Sequence, residues 1–265
     1  MKKYLAVAKI LFKAQIVYRF DVAMTALATI GVMLFAWILW GAAFSGREAI
    51  GGYTFQTMLS YYVISSFISS FEKSNGICFE VSERIRGGTF SKYMTIPANP
   101  QLHFLSQSLG ASAYYAMFSL ISVVFFTLVF GVKISISADP MAILFAFAMV
   151  LIGLVFMVCF RFFIGILTFK FQDIGFFIFV QMGLISFLTG TIVPLALLPE
   201  TILYIMRFLP FAYVIYTPTA LITGQINAVD GLVGLLVLSG WMTTMMLINQ
   251  AVYNRLRMRF DGVGV

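Results

Sequence analysis

MAILFAFAMVLIGLVFMVCFRFFIGILTF, residues 141–169, holds a single charge, Arg161, in 29 consecutive residues. The hydrocarbon core of a bilayer is about 30 Å thick, so a helix needs about 20 mostly apolar residues to cross it. This stretch has them to spare and reads as a membrane-spanning helix. Five further segments read the same way: Val22–Phe44, Phe55–Phe71, Leu105–Val132, Ile174–Val193 and Leu232–Tyr253. Phe55–Phe71 is the weakest, since it carries Ser60, Ser65, Ser66, Ser69 and Ser70. Serines are tolerated in a span where they face a partner helix or a wet cavity. The expectation is an all-α membrane protein of six spanning helices, forming one transmembrane domain over residues 1–265.

Composition supports this class. Of the residues, 61% are hydrophobic and only 10% charged, against roughly 25% charged in a soluble domain. Too few polar residues remain to cover a water-facing surface. The net charge of +7 could suggest a nucleic-acid partner, but the basic residues sit at the ends of apolar segments, so none is expected and the surroundings are membrane lipids. Two cysteines without CxxC spacing, Cys78 and Cys159, and one histidine, His103, support neither a disulfide framework nor a metal site. Lys9, Lys13 and Arg19 interrupt the first twenty residues, which therefore do not read as a cleaved signal peptide.

Orientation follows from Lys and Arg, which concentrate on the cytoplasmic side of a membrane protein. Counting along the six spans puts 13 basic residues on one side, among them Lys2, Lys73, Arg84, Lys170, Arg255, Arg257 and Arg259. The other side holds only Arg47, Lys133 and Arg207, so both termini are expected inside. Residues 195–224 are also apolar, but Pro199, Pro210 and Pro218 interrupt them and a seventh crossing would put the tail arginines outside. That stretch reads as a broken hairpin partly re-entering from the outer face, a backbone form allowed at membrane depth only when buried in protein or lining water. At about 100° per residue, Lys2, Lys9 and Lys13 fall within about 40° of one another. Residues 1–20 thus read as an amphipathic helix on the inner interface, its lysines toward anionic headgroups. A plain extension of the first span is the other reading.

The loop 72–101 is the most informative polar segment. Glu80–Arg86 reads as a short helix ended by Gly87 and Gly88, as helix C-termini prefer. A charged helix flanked by glycines can seat in a groove of a partner protein. An ordinary solvated loop explains the same charges.

The run ERIRGGTFSKYMTIPANP (83–100) resembles the coupling loop of bacterial ABC transporter permeases of the type 2 exporter class: an acid, a basic residue, glycine, an aromatic, a Tyr–Met pair and proline. The run LTGTIVPLALLPETILYIMRFLPFAYVIYTPTALITG (188–224) is similar to the same class, with Leu–Pro–Glu, Leu–Pro–Phe and Tyr–x–Pro in order. The closest branch is one whose members occur as two permeases beside one ATPase. The resemblance implies a half-transporter in a bacterial cell membrane, needing a second permease, homo- or heterodimeric, and a separate ATPase subunit that binds ATP and Mg. The chain contains no G-x-x-x-x-G-K-[ST] of its own, so no cofactor is expected on it. Docking to the ATPase then falls to Glu83, Arg84, Ile85, Arg86, Gly87 and Gly88, with Ile85 the apolar anchor.

Helices two and five line the path in the resembled family. Tyr62, Ser66 and Ser69 recur at helical spacing in the second span, and the fifth offers Gln181, Ser186 and Thr189. Helix–helix hydrogen bonding, at about 0.6 kcal/mol each, accounts for these residues equally well. Arg161 reads first as a side chain snorkelling to the inner headgroups and second as a path residue, because an intramembrane charge is otherwise a functional candidate. Gly31, Gly153 and Gly165 read as points of close helix packing. An intramembrane protease or lipid transferase would need paired acids or a His–nucleophile pair within the bilayer. All ten acids lie at span ends or in loops. A non-transporting assembly factor or sensor stays open.

Overall fold

Two dipeptides set where the longest helices begin. In the computed structural model, which describes residues 2–95, 99–171 and 173–256, Asn99 Oδ1 accepts from the N–H groups of Gln101 and Leu102. Asp139 Oδ1 accepts from that of Met141 at 2.9 Å. Pro100 and Pro140 follow at the first helical position, where proline's missing donor costs nothing. The helices α6 (Pro100–Phe130) and α7 (Pro140–Ile166) result. The third expected span therefore starts five residues earlier than its apolar run.

The other helices are α1 (Lys2–Ala14), α2 (Arg19–Ala43), α3 (Phe55–Phe71), α4 (Ile77–Arg86), α5 (Lys92–Thr95), α8 (Thr168–Phe171), α9 (Gly175–Leu188), α10 (Glu200–Met206), α11 (Tyr216–Ile222) and α12 (Ala228–Leu256). Among the described residues no strand forms, only a bridge between Ile50 and Tyr53. Four helical stretches are long and apolar enough to cross a membrane: α2, α6, α7 continued through α8, and α12. This is a multi-pass membrane protein. Of the remaining two expected spans, α3 keeps the expected bounds Phe55–Phe71, and α9 falls short of the expected Ile174–Val193. α3 has 17 residues, and α9 has 14, about 21 Å at 1.5 Å per residue. α9 stops because Gly190 turns to a φ of +76° and Pro194 cannot continue the ladder.

The stretch after α9 breaks as expected, with an 85° bend between Glu200–Met206 and Phe211–Ile222. The bend lies at Pro210. Pro218 does not break the chain, since it occupies the first turn of α11, where a proline is tolerated. Arg257, Arg259 and Asp261, like Pro97, lie outside the described residues.

α7 is the axis of the fold. Its Ala142, Ala146, Met149, Phe156 and Met157 are buried against Val214, Leu221, Leu238 and Met245 of the later segments. The C-terminal end of α7 is its basic end: it leads into α8 with Lys170 and packs against α4, which carries Arg84 and Arg86. α1 runs beside the first half of α6, where a Cβ on Gly110 would strike the Ala8 carbonyl at 2.2 Å, and Phe12 meets Tyr114 edge-on at 5.4 Å. Gly165 is likewise a close approach, with a Cβ there 2.7 Å from Val81. Gly31 is not: open space surrounds it.

Candidate functional site

α4 begins one turn earlier than the sequence pattern indicates and ends as expected, with Gly87 as cap and Gly88 left-handed at φ 70°. Its apolar residues Ile77, Val81 and Ile85 recur every fourth position and are buried with Val158, Phe162 and Ile166 of α7. The helix thus lies on the basic end of α7, over Gly165. Ile85 is consequently turned inward, at 5% exposure. It is not an outward anchor, because it completes this chain's own core. Arg84 is also engaged at home: its Nε and Nη2 donate to Glu80 one turn back, and Gln107 of α6 donates to the other Glu80 oxygen at 2.8 Å. The bare face of α4 carries Phe79, half exposed at 51%, then Glu83 and Arg86, followed by Gly87.

The elbow joining α3 to α4 is fixed from inside the bundle. Arg161, 3% exposed, donates from Nε to Ser74 Oγ at 3.0 Å and from Nη1 to Gln181 Oε1 of α9 at 2.9 Å. Its Nη2 stands 3.9 Å from Glu72 Oε2. Ser74 passes the interaction on, donating its N–H and its hydroxyl to Glu72 Oε1. Snorkelling is therefore corrected: the guanidinium turns to three partners in the protein, donating to two and facing the carboxylate of the third. A planar five-donor fork suits such a junction, and a lysine ammonium does not. Cys78 completes the surroundings; burial pushes its thiol pKa up, and Arg161 draws it partly back.

A groove of about 580 Å³ runs between α2, from Thr25 to Leu39, and the second half of α3. α3 lines it with Tyr62, Ser65, Ser66, Ser69 and Ser70, and α2 faces these with Val32, Phe35 and Leu39. Ser186 and Thr191, from the end of α9 and the residues after it, close one flank, and Glu72 with Lys73 forms the mouth at the basic end. Tyr62 OH donates to the Ile192 carbonyl at 2.8 Å and Tyr61 OH to that of Gly190 at 2.7 Å. These bonds hold the post-α9 turn to α3 at the far end.

Of the path residues expected from sequence, Tyr62, Ser66 and Ser69 share this groove. Arg161 and Gln181 pair with each other behind its mouth. Thr189 is 1% exposed and gives its hydroxyl to Ile185 O at 2.8 Å, so it does not reach the groove. Sequence reasoning missed Lys73 and Phe79. The signal for Lys73 was there, since 62, 66, 69 and 73 continue one helical spacing.

A family model described as ABC-2 family transporter protein matches residues 29–264. The chain belongs to the ABC-2 transporter family. No curated protein and no solved structure matches it. As an ABC-2 membrane protein, it is the permease component of an ABC transporter, and membership implies association with an ABC ATPase. The ABC-2 match takes in α4, the Arg161 junction and both walls of the groove.

Proposed function

We propose that this ABC-2 chain is half of an ATP-driven exporter of a bacterial cell membrane. In this reading six spans place both termini in the cytoplasm, with α3 and α9 as short second and fifth crossings and residues 195–224 as an outer hairpin. A second permease, identical or homologous, completes the pathway, and two ATPase subunits carry ATP and Mg. The groove between α2 and α3 is this half's share of the substrate path. Nucleotide-driven closure of the ATPases moves α4, and Arg161 carries that movement to α7 and α9.

The supporting observation is α4 itself. One face is buried on α7, while Phe79, Glu83 and Arg86 stand bare on the other, flanked by Gly87 and Gly88. Such an amphipathic helix outside the spans, with charges and an aromatic on its free face, is built to enter a partner's groove. Truncating an interface anchor commonly costs 2 kcal/mol or more, whereas a bystander surface charge contributes about 0–1 kcal/mol.

Phe79→Ala combined with Arg86→Glu tests the assignment, with Lys170→Glu as control on the same end. Lys73 does not serve as a control, because it lines the groove. The expected result is loss of ATPase co-purification for the α4 pair alone, at unchanged membrane insertion. Equal loss with Lys170→Glu would reduce the effect to bulk charge, and no loss with the α4 pair would remove the docking role.

A further inference from the structure

The two walls of the groove differ in chemistry. On α2, Val32, Phe35 and Leu39 are 49%, 67% and 46% exposed and offer apolar surface, while Thr25 and Thr29, also in the lining, give their hydroxyls to the backbone of their own helix. On α3, Ser65 and Ser70 spend their hydroxyls on the backbone of their own helix, and Tyr62 on Ile192. The hydroxyls of Ser66 and Ser69 have no hydrogen-bond partner among the described residues and line the groove.

The mouth is asymmetric in charge. Glu72 is turned inward, its carboxylate taken by Ser74 and faced by Arg161. Lys73 has no carboxylate within 4 Å among the described residues; its Nζ sits 4.1 Å over the ring of Tyr115. Asp21, the other acid acting on it, accepts from the Tyr115 hydroxyl at 2.7 Å and is not part of the lining. Lys73 thus stands at the mouth within the field of Glu72 and Asp21 but without a direct ion pair to either.

We propose that the groove takes a single-chain amphiphile with an anionic headgroup: the headgroup on Lys73, its linkage on Ser66 and Ser69, and its chain along Val32, Phe35 and Leu39. The inference deepens the substrate-path reading given above and rests on it. Dimensions agree. From Tyr62 to the end of α3 at Phe71 is about 14 Å at 1.5 Å per residue, and Lys73 lies two residues beyond, near half of the roughly 30 Å hydrocarbon core, the depth of one leaflet. A volume of about 580 Å³ belongs to the range of pockets that take a small ligand.

The test needs no ATPase, so its outcome is separable from that of the permease reading. The purified full chain is placed in phosphatidylcholine nanodiscs and exposed to lysophosphatidylglycerol or lysophosphatidylcholine, each with a photoactivatable acyl chain. The anionic probe should label about fivefold more than the neutral one, with adducts on α2 and α3. Lys73→Gln should abolish that preference and Lys73→Arg keep it. Glycerol phosphate, the headgroup without a chain, should not compete. Equal labelling by both probes in the wild-type chain would overturn the proposal without recourse to a variant. So would a preference that survives Lys73→Gln, or competition by glycerol phosphate equal to that of unlabelled lysophosphatidylglycerol, which would mark a soluble-anion site.

Discussion

Arg161 and Ser74 are 87 residues apart in the chain and joined by a hydrogen bond of 3.0 Å from Nε to Oγ. The bond connects the C-terminal part of the fold's central helix to the elbow at which α3 becomes α4. With Gln181 on the other side of the guanidinium, α7, α9 and the α4 elbow meet at a single side chain. A movement of α4 cannot leave that junction undisturbed.

Removing the guanidinium should therefore cost stability beyond a simple truncation. Arg161→Met leaves Gln181 and Ser74 without their partner and Glu72 without its countercharge. Breaking one partner of a buried charged network costs about 3–5 kcal/mol. Thermal unfolding in nanodiscs should show a large fall for Arg161→Met and a smaller one for Arg161→Lys. Adding Gln181→Leu to Arg161→Met should cost less than the sum of the single changes, because the two share one interaction. Strict additivity would show that they are not coupled.

Cys78 reports on the same junction. It is fully buried, and burial outweighs Arg161 in raising its pKa, so little thiolate is available to react. Maleimide should label the intact protein at Cys78 slowly. Arg161→Met should speed that labelling by loosening the elbow, while Cys159, held on the other side of α7, should change less. Fast labelling of Cys78 in the wild-type chain would contradict the packing described for α4.

The seat of α4 depends on one glycine. A Cβ at Gly165 meets the Val81 side chain at 2.7 Å and the Cys78 carbonyl at 3.3 Å, so Gly165→Ala must push α4 away from α7. Overpacking of this kind costs about 1–3 kcal/mol, and Val81→Ala should recover part of the lost thermal stability. Gly153→Ala meets Val214 at an ordinary 3.4 Å and Gly31→Ala meets nothing. Both should be close to neutral. A Gly31 variant as destabilised as Gly165→Ala would count against this reading of the helix contacts.

How much of this was legible in the sequence depends on the physical scale of each feature. Long apolar runs announce α2, α6, α7 and α12, because crossing a membrane constrains twenty residues at once. The glycines after Arg86 announce the end of α4 for a local reason, backbone freedom. Asn99–Pro100 and Asp139–Pro140 carried a start signal that the hydropathy pattern overlooked. Tertiary partners were beyond reach. Nothing near Arg161 in sequence points to Ser74 or Gln181, and the alternation of α4 does not say which face, Ile85 or Phe79, finds the bundle. Gly31 and Gly165 look alike in sequence and differ only in what crosses them. Among the groove residues, a helical spacing continued past the end of α3 would have added Lys73.

The central claim is that this chain works as half of a permease driven by a separate ATPase. Native mass spectrometry of the tagged full-length protein, purified from its own host membrane in mild detergent, tests it most directly. The account predicts a four-chain particle of two permeases and two soluble ATPase subunits bearing the phosphate-binding loop that this chain lacks, with ATP hydrolysis lost when Phe79→Ala and Arg86→Glu are combined. A stable monomer, active without any nucleotide-binding chain, would contradict it.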